Sequence, residues 1–563
     1  MLRLFTFHAK KKSAPNPAAE PMPKLTTSFL SALAIAGLPL AHASASGAAL
    51  PPSLLAIQTG AQIYEAKAAD GAQVELIDLN PSIGRWLLLR SSGLDGKLRW
   101  AHLDLGPEGA SRARLSHDAS IIVDGAGGAA QCHLDTPASR EALLKSYPQP
   151  FAPACSGKIF VRSRPAKGYK SSLESVTDWL RDQGSLGEQI ISWRKDLFPS
   201  QGDSALEAGQ APQSGQRRGS PQRAAPSAQA PKLISTANLG FSIPGGALPP
   251  GGWAPIPGAP GAWASVGAPA FAQPLTPGYQ ASSSLAYFMA IDLSNVSARY
   301  SVGVDHPTVG WSTRAQGARV QPGPDGFDSI APLERVGMVP PWHLPKLAAV
   351  ISGGFKREHS AFKGGPLSQR GNGTHYGFAE AGVALSKLHI GLATFFQREG
   401  EPPQLKTWDA RDEAMGLNGL IFARQNGLPL VDDGAPGKML GITAGSNWSG
   451  NQDGDPETMR SALCVARGDE GRSFLIYGVF SKAMPKDMAQ LMIAYGCTGA
   501  MQLDMNAPAL TYAAVMGRDK QGRPRAFPLL SSMADDSAGP MGRFVHQPDT
   551  RDFLYLISGS RRQ

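Results

Sequence analysis

Apolar positions along this chain follow two periods. Period two, or short apolar runs set between Gly and Pro, marks Gln73-Val74-Glu75-Leu76-Ile77 and Trp86-Leu87-Leu88-Leu89 as strands of a first region. Strands are also expected over residues 286–292, 382–385, 393–396, 419–422 and 474–479. Period 3.6 appears at Met488, Leu491, Met492 and Tyr495, with Pro485 suited to a first helical position, Asp487 complementing the helix dipole and Gly496 as the stop. A second helix is expected over 171–180, with Leu173, Val176 and Leu180 on one face, Ser171 or Ser172 as N-cap and Glu174 in the first turn. Many strands around a few helices predict the α+β class. The strand before the first of these helices, the helix itself and Ala500-Met501-Gln502-Leu503-Asp504 after it make a strand–helix–strand unit. Its last strand ends on Asp504, and ligands of open α/β sheets bind outside the carboxyl ends of strands. A loop-capping Asp is the plain alternative.

Between 201 and 274 the pattern disappears into Gly, Pro, Ala, Ser and Gln, so this stretch reads as a linker, with Trp253 and Trp263 placed to dock its second half. The 563 residues then divide into a signal peptide at 1–45, a strand-rich domain of unknown role at 50–200, the linker, and a larger domain at 283–558. The signal reading rests on an apolar run over 29–40, preceded by Lys10, Lys11, Lys12 and Lys24 and followed by Ala41-His42-Ala43-Ser44-Ala45. That run is shorter than the ~18–20 residues that span a bilayer, so the expected product is exported, periplasmic or secreted, and not integral to the membrane after cleavage. Export favours disulfides, and the four cysteines fall two to each domain: Cys132 with Cys155 and Cys464 with Cys497, free thiols being the alternative. The formal charge of +9 includes five cations and one anion within residues 1–45, which leaves +5 for the rest. No Lys/Arg run with interleaved aromatics offers a nucleic-acid footprint. No zinc spacing is present, and Asn451-x-Asp453-x-Asp455 lacks the Gly and bidentate Glu of a calcium loop, so no metal and no cofactor are expected.

Four segments, in order, carry a resemblance. Ser352-Gly353-Gly354-Phe355, Gln425-Asn426-Gly427-Leu428-Pro429-Leu430-Val431-Asp432-Asp433-Gly434, Arg460-Ser461-Ala462 and Gln502-Leu503-Asp504 resemble the Asn-Gly-Gly-Phe, Gln-Asn-Leu-Pro-Leu-Leu-Val-x-Asp-Gly, Arg-Thr-Ala and Asn-Leu-Asp segments of the phosphodiester glycosidase family. That group includes the enzyme that uncovers mannose 6-phosphate by removing N-acetylglucosamine. The resemblance implies a hydrolase acting on a glycan-linked phosphodiester or related glycoside. It implies Asp504 and Arg460 as catalytic residues, Asp504 working at the sugar and Arg460 holding phosphate bidentately. It also implies Gly353, Gly354, Phe355, Gln425, Asp433, Ser461 and Asn506 as substrate contacts.

The departures lie at the same place. Met505-Asn506-Ala507-Pro508-Ala509 stands where the family has glycines and a Ser, and Pro508 lacks the N–H that a backbone anion nest requires. Tyr477-Gly478-Val479-Phe480 stands for Asp-Gly-Arg, and Ser352 for Asn. A second reading, of a different class, is therefore a catalytically inactive carbohydrate- or cell-envelope-binding protein on the same scaffold. Either way the expected partner is a glycan.

Overall fold

In the computed structural model the described residues are 58, 60–106, 112–125, 128–171, 174–175, 253–256, 258–267, 284–306, 334–355, 377–438, 440, 458–467, 472–505 and 509–559. The expected signal peptide, the calcium-like spacing, Asn506 and Pro508 lie outside them.

The first region folds as a six-stranded antiparallel sheet in the order Gln62–Lys67, Gln73–Asp78, Trp86–Ser92, Leu98–Asp104, Ile159–Arg162, Phe151–Ala154. Both its faces are covered. Val74, Leu76, Leu87, Leu89 and Leu103 pack under Leu143 and Leu144 of a helix, Pro137–Leu144, and against a small sheet that carries Ile121 and Val123. Ile77, Leu79, Trp86 and Leu88 face the other way and join the main core of the C-terminal sheets. Cys132 and Cys155 are bonded within this region.

The C-terminal region is built from three further sheets. The largest has eight strands, ordered Ala254–Pro255, Ala262–Gly267, Ala286–Asp292, Ser473–Ala483, Thr458–Arg467, Cys497–Met505, Pro429–Asp432, Ala435–Pro436. Its first two strands come from the stretch read as linker, where Trp253 is fully buried against Tyr495. A five-stranded sheet places Phe553–Ser558 between Val296–Ser301 and Leu347–Ser352. A second five-stranded sheet places Leu420–Gln425 between Phe378–Glu380 and Ala393–Arg398.

The expected helix forms at Pro485–Ala494, where the Asp487 carboxylate accepts from the Met484 amide at 2.8 Å and Gly496 turns with φ +81°. Ser473–Ala483 and Cys497–Met505 are each antiparallel to Thr458–Arg467, which lies between them. The helix therefore crosses over a central strand, and the two strands it links are parallel without being neighbours. Of the helix expected over 171–180, residues 171, 174 and 175 are described, and the Ser171 hydroxyl and Glu174 carboxylate exchange capping bonds with each other's amides.

The α+β expectation is corrected. The fold is mostly β: five sheets of antiparallel strands, with three short α-helices among the described residues, Pro137–Leu144, Ala410–Met415 and Pro485–Ala494. One crossover helix gave the α+β impression. Elsewhere strands are joined by hairpins or by irregular chain, and strands covered on both faces show apolar runs that periodicity alone does not separate from helix. No helix among the described residues is long and apolar enough to cross a membrane.

Candidate functional site

Asp504 is the penultimate residue of its strand. Along the pair with Thr458–Arg467, Ala462 faces Gln502 but Arg460 faces Met505, so Leu503 and Asp504 together oppose Ser461. This is a β-bulge, which re-aims side chains. The Ser461 hydroxyl secures it by donating to the Asp504 carbonyl at 2.7 Å. The carboxylate, almost fully buried, accepts from the Met505 amide at 2.9 Å and pairs with the Arg551 guanidinium.

Arg551 belongs to Asp549-Thr550-Arg551-Asp552, the segment that leads into Phe553–Ser558. Its other nitrogen lies 3.6 Å from Glu174, which also reaches Arg543 at 3.1 Å, and Arg543 grips Asp549 with two bonds of 2.9 Å. Tyr169 joins the same segment by accepting from the Thr550 amide at 3.0 Å and donating to the Pro548 carbonyl at 2.6 Å. Beside this segment a cavity of about 610 Å³ is lined by Arg164, Lys167, Tyr169, Asp305 and Thr550 among others.

Gly353 and Gly354, which follow the strand Leu347–Ser352, sit on the same group. The Gly353 amide donates to the Asp552 carbonyl at 2.9 Å, and a Cβ on Gly353 would lie 2.5 Å from Asp552 Oδ2. Gly354 has φ +133°, and a Cβ there would lie 2.6 Å from Asn426 Oδ1. Glycine is required at both positions by contact, and at the second by backbone conformation as well. Asn426 Oδ1 accepts from the Phe355 amide at 3.1 Å, while its Nδ2 donates to the Gln502 carbonyl at 2.5 Å. Gln502 Oε1 is in turn 3.4 Å from Arg460 Nη1, and Arg460 Nε donates to the Ala483 carbonyl at 2.8 Å. The four segments that carry the resemblance thus meet through Gly353, Gly354, Asn426, Gln502, Arg460 and Asp504.

Two of the expected contacts lie apart from this group. Gln425 spends its whole amide on the local backbone and Thr394: Oε1 accepts from Gly377 and His389, and Nε2 donates to the His389 carbonyl and the Thr394 hydroxyl. Asp433, with φ +50°, and Gly434, with φ +74°, form an exposed two-residue hairpin turn. The Gly434 amide bonds the Thr498 carbonyl, at the opposite end of the strand from Asp504. The second disulfide, Cys464–Cys497, is also at that far end.

Arg551, Asp552, Arg424 and Tyr300 are additions that sequence reasoning missed. Arg424 Nε donates to Asp552 Oδ2 at 2.8 Å, and the Tyr300 hydroxyl donates to the same oxygen at 3.0 Å. Burial and the Asp552 carboxylate push the Tyr300 phenol well above its ordinary range, so it stays a donor. Charges placed within or directly before apolar strands were the available signal, in Leu420-Ile421-Phe422-Ala423-Arg424 and in Arg551-Asp552-Phe553-Leu554. A buried charge is costly unless paired, so such residues mark built interiors.

No protein-family model matches the chain, and no curated protein matches it. Among solved structures it is similar to the catalytic domain of zebrafish N-acetylglucosamine-1-phosphodiester alpha-N-acetylglucosaminidase auto-inhibited by its pro-peptide, at 11% identity and TM-score 0.29, over 54% of this chain and 86% of that one. It is similar to a Burkholderia pseudomallei protein described as exported, at 11% identity and TM-score 0.23, over 50% and 75%. It is also similar to a hypothetical protein from Synechocystis, at 9% identity and TM-score 0.26, over 88% and 99%. These likenesses are weak and concern the fold alone.

Proposed function

We propose that this chain is an exported hydrolase acting on a glycan-linked phosphodiester or related glycoside, with Asp504 working at the sugar and Arg460 on the phosphate side. One observation carries the reading: segments around 353, 426, 460 and 504, far apart in sequence, pack through direct contacts into one buried polar group. A phosphate leaving group needs little acid assistance, so fixed charges matter more than a proton donor. Two disulfides and an N-terminal signal pattern support export.

Purified mature protein should hydrolyse a sugar 1-phosphodiester, and Asp504→Asn should abolish turnover while circular dichroism stays unchanged. Arg460→Ala should weaken binding of the phosphodiester more than binding of the free sugar. N-terminal sequencing of exported protein should begin near Ser44 or Ser46.

The second reading, a silent glycan-binding protein, is favoured by the pairing of Asp504 with Arg551. That ion pair engages the carboxylate expected to act at the sugar. Binding of glycans without turnover across a broad panel of phosphodiesters and glycosides would put this reading in place of the first.

A further inference from the structure

The cavity of about 610 Å³ beside residues 548–550 takes no part in the function proposed above. Both of its walls hang on that short segment. From one side the Tyr169 amide donates to the Pro548 carbonyl and the Thr550 amide to the Tyr169 carbonyl, and from the other the Asp305 amide donates to the Thr550 carbonyl at 2.9 Å. A Cβ on Gly168 would lie 2.9 Å from the Thr550 amide nitrogen, so glycine lets the first wall press against the segment. The lining is cationic: Arg164, Lys167 and Lys170 stand against one carboxylate, Asp305. Arg164 lies 3.8 Å from Asp305, too far for a hydrogen bond, and the two side chains are 43% and 42% exposed. Such a pair is loose and leaves the guanidinium fork open to a further acceptor. Arg335, which does not itself line the cavity, adds to the field. It is 5% exposed, its Nε has no hydrogen-bond partner, and burial followed by the Arg164 charge pulls its pKa down to about 10 against the opposing pull of Asp305 and Glu334. Positive charge here is not fully met by the carboxylates of the described residues.

We propose that this cavity binds a phosphate monoester of a small organic molecule, held by Arg164 and Lys167. Three cations against one carboxylate leave two positive charges on the lining, which a monoester dianion balances and a carboxylate or a phosphodiester only halves. Arg164 offers the planar fork that matches phosphate oxygens, and the lysines add ammonium charge. The volume falls within the ~300–1,000 Å³ of sites for small organic ligands, so inorganic phosphate alone would leave most of it unfilled. The proposal does not rest on the hydrolase reading, because neither Asp504 nor Arg460 takes part in it.

The test is calorimetric titration of the purified mature chain with glucose 6-phosphate and with inorganic phosphate, glucose serving as competitor. Glucose 6-phosphate should bind at least as tightly as inorganic phosphate, and glucose should displace neither. Arg164→Gln and Lys167→Gln, both at exposed positions, should each weaken glucose 6-phosphate about threefold to tenfold. Asp305→Asn should tighten it about twofold to fivefold, because a like charge is removed. Opposite signs from substitutions in one wall lining separate ligand binding from any effect on folding. Affinity of R164Q/K167Q within about twofold of wild type would overturn the proposal and place the phosphate elsewhere in the chain, at Arg460 first of all. Weaker binding by Asp305→Asn would overturn it as well. So would the absence of heat from either phosphate at about 10 mM.

Discussion

Among the described residues, two buried clusters of arginines and carboxylates can be compared, and their surroundings differ. Where the N-terminal sheet meets the C-terminal sheets, Arg162 reaches Glu380 at 2.5 Å and Asp104 at 3.5 Å, with Arg85 at 3.2 Å from the same Asp104. Aromatic rings fill the space around them: the Arg162 guanidinium lies 3.9 Å from the Trp86 ring centroid, and Arg85 lies 5.7 Å from that of Trp342. Around Asp504, Asp552, Arg551 and Arg424 the neighbours include two closely packed glycines, a bulge and strand-end backbone, with the Tyr300 ring 5.9 Å from the Arg424 guanidinium. Rings packed on guanidiniums consume the available volume and make a clamp. Glycines and a bulge aim polar groups and keep backbone close to them, which is what a site requires.

The sharpest way to break this comparison is to remove one arginine from the clamp. Arg162→Leu leaves Glu380 and Asp104 buried without their shared cation, which should cost about 3–5 kcal/mol in urea unfolding. Glycan binding by the folded fraction should stay as in wild type. Equal loss of binding would mean that the clamp belongs to the site.

A glycine of the proposed site should cost less in stability and more in function. Gly354→Ala drives a Cβ into Asn426 at a backbone conformation that L-residues rarely adopt, for about 1–3 kcal/mol of overpacking and strain. Binding and turnover should be lost in protein that remains folded at 25 °C, as read by circular dichroism. Retained binding would remove Gly353 and Gly354 from the proposed site.

The clamp also predicts a pH dependence. Burial, aided by the Arg162 charge, holds the His102 imidazole down at about 3, against about 6.5 in the unfolded chain. A depressed pKa means that the unfolded state binds the proton more tightly. The contribution of His102 is therefore complete above about pH 6.5 and is lost as pH falls toward 3, by up to ~1.4 kcal/mol per unit. The difference in unfolding free energy between wild type and His102→Gln should shift in that direction between pH 6.5 and 5. A flat difference would show that the ring is not held neutral.

The smallest effect belongs to a residue that the resemblance offers and the fold sets apart. Asp433→Asn, in the exposed turn, should change stability by less than about 0.5 kcal/mol and leave glycan binding unaltered. A tenfold loss of affinity would extend the site to the far end of the Cys497–Met505 strand.

Much of the local structure was legible in the sequence. The helix at Pro485–Ala494 followed from its capping residues and 3.6 period, the strand at Ala286–Asp292 from its apolar run, and both disulfide pairings from an even division of four cysteines. The place of Asp504 at a strand end was also readable. Tyr477-Gly478-Val479-Phe480 was read as lost chemistry, and the fold uses it for packing: Phe480 meets Phe288 edge to face, and a Cβ on Gly478 would lie 2.6 Å from that same ring.

What the sequence determined by itself is whatever depends on neighbours a few residues apart: a cap, a helix period, a glycine turn, a charge out of place in an apolar run. What only the tertiary structure decided is which distant groups share one interior. Arg551 and Asp552 lie more than forty residues from Asp504, yet they supply its counter-ion and the carboxylate that packs against Gly353. Gln425 and Asn426 are adjacent in sequence and part company, one bound to local backbone and the other to the group around Gln502. Successive residues at a strand end point to opposite sides, and a one-residue bulge reverses that assignment. Membership of the site therefore depends on register and packing, which no local pattern encodes.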